Sequence, residues 1–152
     1  MPERLRKLHI DGRTFVWKAT IRHVPGEGDC HRGIRLRVWG SGKNGRILQA
    51  DLLSKSWPGP WGACATDDAY PTLADVRTVI GYGLKHGWDP DARGGFHLLT
   101  ERDHDWELPG FLLTDRLLDP TAPDPTNRVI HAYEQRTAGA TQLDGSAGQG
   151  SI

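Results

Sequence analysis

Two stretches of the sequence hold the residue types that bind metal ions. In the first, Cys30 and His31 are adjacent, and Cys64 is the only other cysteine. A structural zinc site usually takes four ligands that are paired along the chain, as in Cys-x-x-Cys or His-x-x-x-His. No such pairing occurs here, so we predict no metal site and no cofactor. The alternative is a zinc ion held by these three residues and one distant histidine.

The second stretch is an acidic segment around one histidine, with Glu101, Asp103, His104, Asp105 and Glu107. Hydrolytic metal sites use such groups, but they draw their ligands from several elements. Five polar side chains in one loop are more typical of a solvated surface. The motifs Gly-x-Ser-x-Gly, Gly-x-x-x-x-Gly-Lys-Ser/Thr and His-Glu-x-x-His are absent. We therefore predict no catalytic residue, and a metal-dependent enzyme around His104 or Cys30 is the third hypothesis.

Basic residues alternate with apolar ones in the first third of the chain, which places them on one side of a predicted sheet. With one tryptophan, they form a candidate nucleic-acid surface: Lys18, Arg22, Arg35, Arg37 and Arg46, with Trp39. Proteins that bind single strands combine phosphate attraction with base stacking. Sheets that read nucleic acid usually show two or three aromatic residues, however, and the alternation predicts one. A solvated face is the competing interpretation.

Six tryptophans are many for a chain of 152 residues. Trp57 and Trp61 flank a Pro-Gly-Pro triplet, which cannot lie inside a strand because two prolines remove hydrogen-bond donors. Tryptophan is enriched at the energetic centres of protein interfaces. Trp57, Trp61 and Trp39 are therefore the candidate partner-binding residues. The alternative is that this loop folds back over the sheet.

The sheet that positions these groups is predicted by a period of two in the apolar residues. Residues 14–23, 33–39 and about 46–53 alternate in the manner of half-buried strands. Lys7–Ile10 precedes them as an opening strand that turns back at Asp11 and Gly12. The predicted inward face includes Phe15, Trp17, Ala19, Ile21, Leu36 and Leu48.

A helix is predicted over about 73–86 and would cover that inward face. Thr72 and Asp75 form a capping-box start, and Gly87 can adopt the left-handed conformation that ends a helix. Gly81 and Gly83 each cost about 1 kcal/mol relative to alanine in a helix interior. That cost is tolerable if a glycine lets the helix approach the sheet closely.

The predicted fold class is therefore α+β, an antiparallel meander of three to five strands that is covered on one face by one main helix. Residues 1–118 are predicted to form a single domain. A proline-rich linker over 119–126, a short helix over 127–136 and a disordered, flexible tail over 137–152 follow.

Two short motifs follow the predicted helix, Gly87–Pro90 and Gly95–Leu98. With the strands before them, they resemble small bacterial α+β proteins in which a strand meander precedes a helix ending in Gly-Trp-x-Pro and a short Gly-Phe-x-Leu strand. The resemblance covers about residues 8–100. It implies a fold and transfers no functional residue.

The two parts of the chain carry opposite charge, although the net charge is zero. Residues 1–55 hold 12 Lys and Arg against 5 Asp and Glu, whereas residues 56–152 hold 7 against 14. No apolar run is long enough to cross a membrane, and no apolar segment follows the basic start as in a secretory signal. We therefore predict a cytosolic protein without membrane contact, whose two thiols are reduced rather than bridged.

These observations favour a non-catalytic accessory module that binds another protein, and an inhibitor or immunity-like protein is one version of it. The reasons are the aromatic loop, the separation of charge and the lack of an assembled catalytic site. The alternative is a nucleic-acid-binding module that uses the basic face of the sheet.

Overall fold

The computed structural model describes residues 5–26, 30–40, 44–55 and 69–135. Within these residues, six strands form one sheet and two segments are helical. In chain order the elements are β1 (Arg6–Ile10), β2 (Arg13–Pro25), β3 (Cys30–Trp39), β4 (Ile47–Ser54), α1 (Leu73–Lys85), β5 (Phe96–Leu99), β6 (Phe111–Leu113) and α2 (125–135).

The first four strands form the antiparallel meander that the sequence predicts. β1 and β2 are joined by a tight turn at Asp11 and Gly12, where φ is 49° and 78°. Ala19 of β2 lies opposite Leu36 of β3, and Leu36 lies opposite Ala50 of β4. This register brings the inward-facing apolar residues together, so one face of the meander is apolar.

Two short strands complete the sheet, and both pair with β4. β5 runs parallel to β4 after a crossover through α1, with Phe96 opposite Ile47. β6 runs antiparallel to β4, with Leu113 opposite Leu52. The sheet is thus mixed but mostly antiparallel, which confirms the predicted α+β class, and it is wider than the predicted meander. β1 is the edge strand on one side of the sheet, and β5 and β6, which both pair with β4, lie at the other edge.

Helix α1 begins and ends as its sequence predicts. The Thr72 side chain accepts a hydrogen bond from the Asp75 amide at 3.1 Å, and the Asp75 carboxylate accepts one from the Thr72 amide at 2.9 Å. Gly87 ends the helix with a φ of 99°. Of the two internal glycines, Gly83 is the one that faces the sheet, where a Cβ would come within 2.9 Å of the Leu48 methyl carbons.

The main core lies between α1 and one face of the sheet. The four residues that define the predicted inward face, Phe15, Trp17, Leu36 and Leu48, are each at most 1% exposed, which confirms the predicted register. Ile21 was assigned to the same face and is 48% exposed. On β2 the coverage therefore ends at Ala19, whereas Ile34, which lies opposite Ile21 on β3, is buried in the main core.

A second, smaller core lies on the opposite side of the sheet at the β2–β3 hairpin. Val24, Leu53 and Leu112 pack there with Val129 and Ala132 of α2. The sequence predicts a short helix over 127–136, and residues 125–135 are helical. Helix α2 thus covers the hairpin end of the face opposite α1.

The hairpin is also tied to α2 by hydrogen bonding. His31, which the sequence offers as an alternative zinc ligand, is 1% exposed, and its Nε2 lies 3.0 Å from Thr126 Oγ1. Ala122 in the segment before the helix and Pro125 at its first position are also buried. Residues 136–152, which include the predicted tail, lie outside the described residues.

The cysteines differ from the sequence-based prediction. Cys30, the first residue of β3, is disulfide-bonded, and the described residues contain no free cysteine. The prediction of reduced thiols rested on the distance between the cysteines in sequence and on the predicted compartment. Neither decides whether two thiols meet in space, because pairing depends on the folded geometry.

Candidate functional site

The sheet has a second face, opposite the main core, which we call the open face. Even-numbered residues of β2 and odd-numbered residues of β3 and β4 point towards it. α2 covers its hairpin end. Over the rest, several side chains are partly or largely exposed, and the strand register arranges them in rows across the sheet.

One of these rows is apolar. Val16 lies opposite Trp39 in the β2–β3 pair, and Ile47 lies opposite Phe96 in the β4–β5 pair. Extending the β3–β4 register by one residue makes Trp39 and Ile47 neighbours, at the spacing of about 4.8 Å between strands. Phe96 is 49% exposed, and the other three are half-buried. We call these four residues the apolar row.

The next row carries the basic groups, and we call it the cationic row. Lys18 lies opposite Arg37, which lies opposite Gln49. Leu98 ends the row on β5. Arg37 Nε donates a hydrogen bond of 2.9 Å to Gln49 Oε1. The Arg37 guanidinium carbon also lies 5.2 Å from the centre of the Phe96 ring, within the range of a cation–π contact. The two rows therefore touch through Arg37 and Phe96.

Arg35, one of the predicted nucleic-acid-binding residues, forms an ion pair within the sheet. Its Nε and Nη2 donate hydrogen bonds of 2.9 and 3.1 Å to the two carboxylate oxygens of Asp51. Asp51 is 3% exposed. The hydrogen bond to Asp51 raises the pKa of Arg35 and outweighs the opposing effect of burial. The Arg35 charge is therefore balanced within the sheet rather than offered to a partner.

Two further predicted cations lie at the ends of the open face. Arg22 is exposed near the β2–β3 hairpin. Arg46 precedes β4, and its Nε donates a hydrogen bond of 3.2 Å to the Gly94 carbonyl oxygen. Neither belongs to the cationic row.

A shallow cup of about 470 Å³ opens beside the β5 end of the apolar row. It is lined by Asn44, Gly45, Ile47, Arg93, Gly94, Gly95 and Phe96. Gly94 and Gly95 have φ angles of 67° and 75°, which residues with a Cβ rarely adopt. The Gly94 amide donates to Asn44 O at 2.8 Å, and the Ile47 amide donates to Gly95 O at 3.0 Å. The wall of the cup is therefore hydrogen-bonded backbone.

The three predicted partner-binding tryptophans can be compared with this surface only in part. Trp39 lies in the apolar row. Trp57 and Trp61 lie outside the described residues. With Phe96, the described strands place two aromatic residues on the open face rather than the one that the alternation of β2 and β3 predicts.

Sequence reasoning missed Val16 and Ile47 of the apolar row and both site residues from β5, Phe96 and Leu98. A strand over Phe96–Thr100 is predicted, but its face is not, because its partner β4 precedes it by a whole helix. The available signal is its period of two, which puts Phe96 and Leu98 on one side and His97 and Leu99 on the other. Leu98 is 39% exposed and Leu99 is 2% exposed, as that period requires.

A group of aromatic and titratable side chains lies at the C-terminal end of α1. The Tyr82 ring stacks on His86 at a centroid distance of 3.9 Å and on Trp106 at 4.4 Å. Tyr82 Oη is 2.9 Å from His104 Nδ1. Among the described residues, no three His, Cys, Asp or Glu side chains are arranged to hold a metal ion. This cluster is a packing and hydrogen-bonding unit.

The acidic segment 101–107 is tied into the fold by ion pairs. Glu101 lies 3.0 Å from Arg128 of α2. Glu107 lies 3.2 Å from the amine of Lys55, whose side chain is 7% exposed. These two carboxylates therefore hold neighbouring elements together.

No family model, curated protein or solved structure matches the chain. Functional inference therefore rests on the geometry of the open face. In the part of the chain that the structure describes, neither helix has the length and apolar character needed to cross a bilayer.

Proposed function

We propose that this protein is a non-catalytic binding module, that its partner is another protein, and that the open face is the contact surface. The observation that carries the proposal is the apolar row beside the cationic row. Interfaces combine large apolar anchors with polar groups around them, and contiguous exposed apolar groups on a folded domain mark contact sites. An inhibitor or immunity-like role is one version of such a module.

The chemistry of the described residues supports binding rather than catalysis. Of the two carboxylates that border the 101–107 segment, one pairs with Arg128 and the other with Lys55. The open face offers guanidinium, amine, aromatic and aliphatic groups, which suit recognition. Covalent catalysis would need a nucleophile with an oriented base, which is a different set of groups from those named on the open face.

A photo-crosslinking side chain at position 98 tests this proposal in cells that produce the protein. Leu98 is 39% exposed on β5, and Leu84 is 42% exposed on α1, which covers the opposite face. The two sites thus match in residue type and exposure. We expect a discrete protein adduct from position 98 and none from position 84. Equal labelling from both sites, or no adduct from either, would contradict the proposal.

A second candidate function is the binding of single-stranded nucleic acid. It is favoured by one observation: Trp39 and Phe96 lie in one row, next to Lys18 and Arg37. Aromatic platforms beside cations are the elements of single-strand binding. If this is the function, oligonucleotides should bind at low salt. Their affinity should fall steeply as salt is added, because binding gains free energy from released counterions and salt reduces that gain. Arg37→Ala should weaken oligonucleotide binding. Arg35→Ala, if the variant folds, should weaken it less, because the Arg35 charge is already paired with Asp51.

The cytosolic location predicted from the sequence and the disulfide at Cys30 point to different compartments. Disulfides persist mainly in oxidising compartments, and reductants of the cytosol keep most thiols free. The bond at Cys30 therefore argues against a reducing compartment. Thiol trapping in the producing cells, before lysis, distinguishes the two locations.

A further inference from the structure

We infer that the partner presents an acidic polypeptide segment with one large apolar side chain, and that this side chain enters the cup beside Phe96. The inference rests on the proposed function and names the chemistry of the partner. It follows from the charge of the open face and from the structure of the cup.

The first observation is the charge of the strands. Asp51 is the only acidic residue in the six strands, and Arg35 already binds both of its carboxylate oxygens. Arg37 lies on the open face, and Lys7 and Arg22 are exposed at its margins. These cations favour a partner that brings negative charge, since like charges across an interface cost affinity.

The second observation is that an apolar anchor has a preformed place. The cup measures about 470 Å³, within the range of about 300–1,000 Å³ that binding pockets span. Phe96 and Ile47 form its apolar side, and Gly94 and Gly95 form a wall without side chains. Both glycines are held by backbone hydrogen bonds, to Asn44 and Ile47. A rigid cup reduces the entropy lost when a side chain enters it.

The third observation is that two arginines lie close to the cup. Arg93 lines the cup and is exposed. Arg37 contacts the Phe96 ring from the side of the cationic row. The two arginines favour acidic residues next to the apolar residue that enters the cup.

The composition of the surface favours a polypeptide over a nucleic-acid strand. The two rows hold three aliphatic residues, against two aromatic and two basic ones, and the aliphatic residues are Val16, Ile47 and Leu98. Base stacking uses aromatic rings, whereas aliphatic groups pack against apolar side chains. Nucleic acid is therefore the competing outcome of the test below.

The probe is a short synthetic peptide with a central tryptophan flanked by Asp and Glu, titrated into the isotope-labelled full chain and followed by amide chemical shifts. Three controls match it: the same peptide with Lys for each acid, the same peptide with Ala for Trp, and an oligothymidylate. We expect the acidic tryptophan peptide to shift the amides of Gly94, Gly95, Phe96 and Leu98. Both peptide controls should shift them far less, and added salt should weaken the effect.

The Phe96→Ala variant tests whether the Phe96 ring binds the apolar side chain of the peptide. Because Phe96 is 49% exposed, the variant should fold, which its melting curve checks. We expect peptide affinity to fall roughly 30-fold, as for loss of an anchor worth about 2 kcal/mol. Arg93→Gln and Arg37→Gln should each weaken binding without abolishing it.

The outcomes separate the inference from the function on which it rests. If position 98 captures a protein but the acidic peptide leaves the cup amides unmoved, the inference is overturned and the binding function stands. If neither experiment gives a signal at the open face, both are overturned. If oligothymidylate moves the same amides more than the acidic peptide, single-strand binding replaces the protein partner.

Discussion

The guanidinium of Arg37 lies 5.2 Å from the centre of the Phe96 ring, so that β3 and β5 contribute to one surface across the intervening strand β4. Arg37 belongs to the antiparallel meander, and Phe96 follows the crossover through α1. The contact places an aromatic ring from the later part of the chain beside cations from the earlier part. The open face thus depends on the parallel β4–β5 pairing.

The first prediction concerns the two glycines of α1. A Cβ at Gly83 would meet both Leu48 methyl carbons at 2.9 Å, whereas a Cβ at Gly81 meets nothing within 4 Å. We expect Gly83→Ala to lower the free energy of unfolding by about 1–3 kcal/mol through overpacking. Gly81→Ala should raise it by up to about 1 kcal/mol because alanine is the better helix former. Chemical denaturation of both variants measures the difference, and effects of the same sign would contradict the packing of α1 on β4.

The second prediction concerns the buried ion pair. Asp51→Ala leaves the Arg35 guanidinium without its partner in a mostly buried position, and removing one member of a buried pair costs about 3–5 kcal/mol. The double variant Arg35→Met, Asp51→Leu should recover most of that loss. Arg37→Ala should cost less than Asp51→Ala, about 1–3 kcal/mol, because it leaves the buried Gln49 amide rather than a buried charge without its partner. Denaturation midpoints of the four proteins check this, and equal losses for Arg37→Ala and Asp51→Ala would contradict it.

Much of the fold could be predicted from the sequence. The meander, its register and the limits of α1 follow from local signals, which are the period of two, the capping box and the glycine stop. The Arg35–Asp51 pair was also within reach, because Leu48, Ala50 and Leu52 on the core face put Asp51 on the same side as Arg35. It was missed because the basic residues were considered without their cross-strand neighbours.

The remaining features depend on contacts between distant parts of the chain. A four-residue strand such as β5 does not show which strand it pairs with, so Phe96 could not be placed beside Arg37. The same holds for α2, whose apolar residues pack on Val24 at the hairpin. The candidate site was therefore predicted in part, through Trp39, Lys18 and Arg37, and the residues from β5 required the tertiary structure.

The third prediction concerns the disulfide at Cys30. A thiol assay of the unfolded, unreduced protein should find no free thiol. Reduction, or Cys30→Ala, should lower the free energy of unfolding by about 2–4 kcal/mol, because a cross-link restricts the unfolded chain. Unfolding with and without reductant measures this. Two free thiols in protein purified under thiol-blocking conditions would contradict the bond.

The fourth prediction concerns pH. Burial lowers the pKa of His97, and the positive charges of His104, Arg46 and His86 add to the effect. The unfolded chain therefore binds a proton more readily than the folded one, so stability is full above the ordinary histidine pKa of about 6.5 and declines as pH falls below it towards the lowered pKa.

His97→Leu removes the titrating group and should flatten the loss of stability at acid pH. His23→Leu makes the same change at an exposed position of β2 and should leave that loss in place. The measurement is the free energy of unfolding of each variant above and below the histidine range. An unchanged pH slope in His97→Leu would show that His97 is not responsible.

The central claim is that the open face binds a protein partner, and the most direct test is the affinity for the protein captured at position 98. Leu98→Glu and Leu84→Glu make the same change at sites that are 39% and 42% exposed on opposite faces. We expect Leu98→Glu to weaken binding at least about tenfold, because it adds negative charge to the contact surface of an acidic partner and removes apolar area. Leu84→Glu should bind as the unmodified protein does. Equal affinities for the two variants would contradict the assignment of the open face as the binding surface.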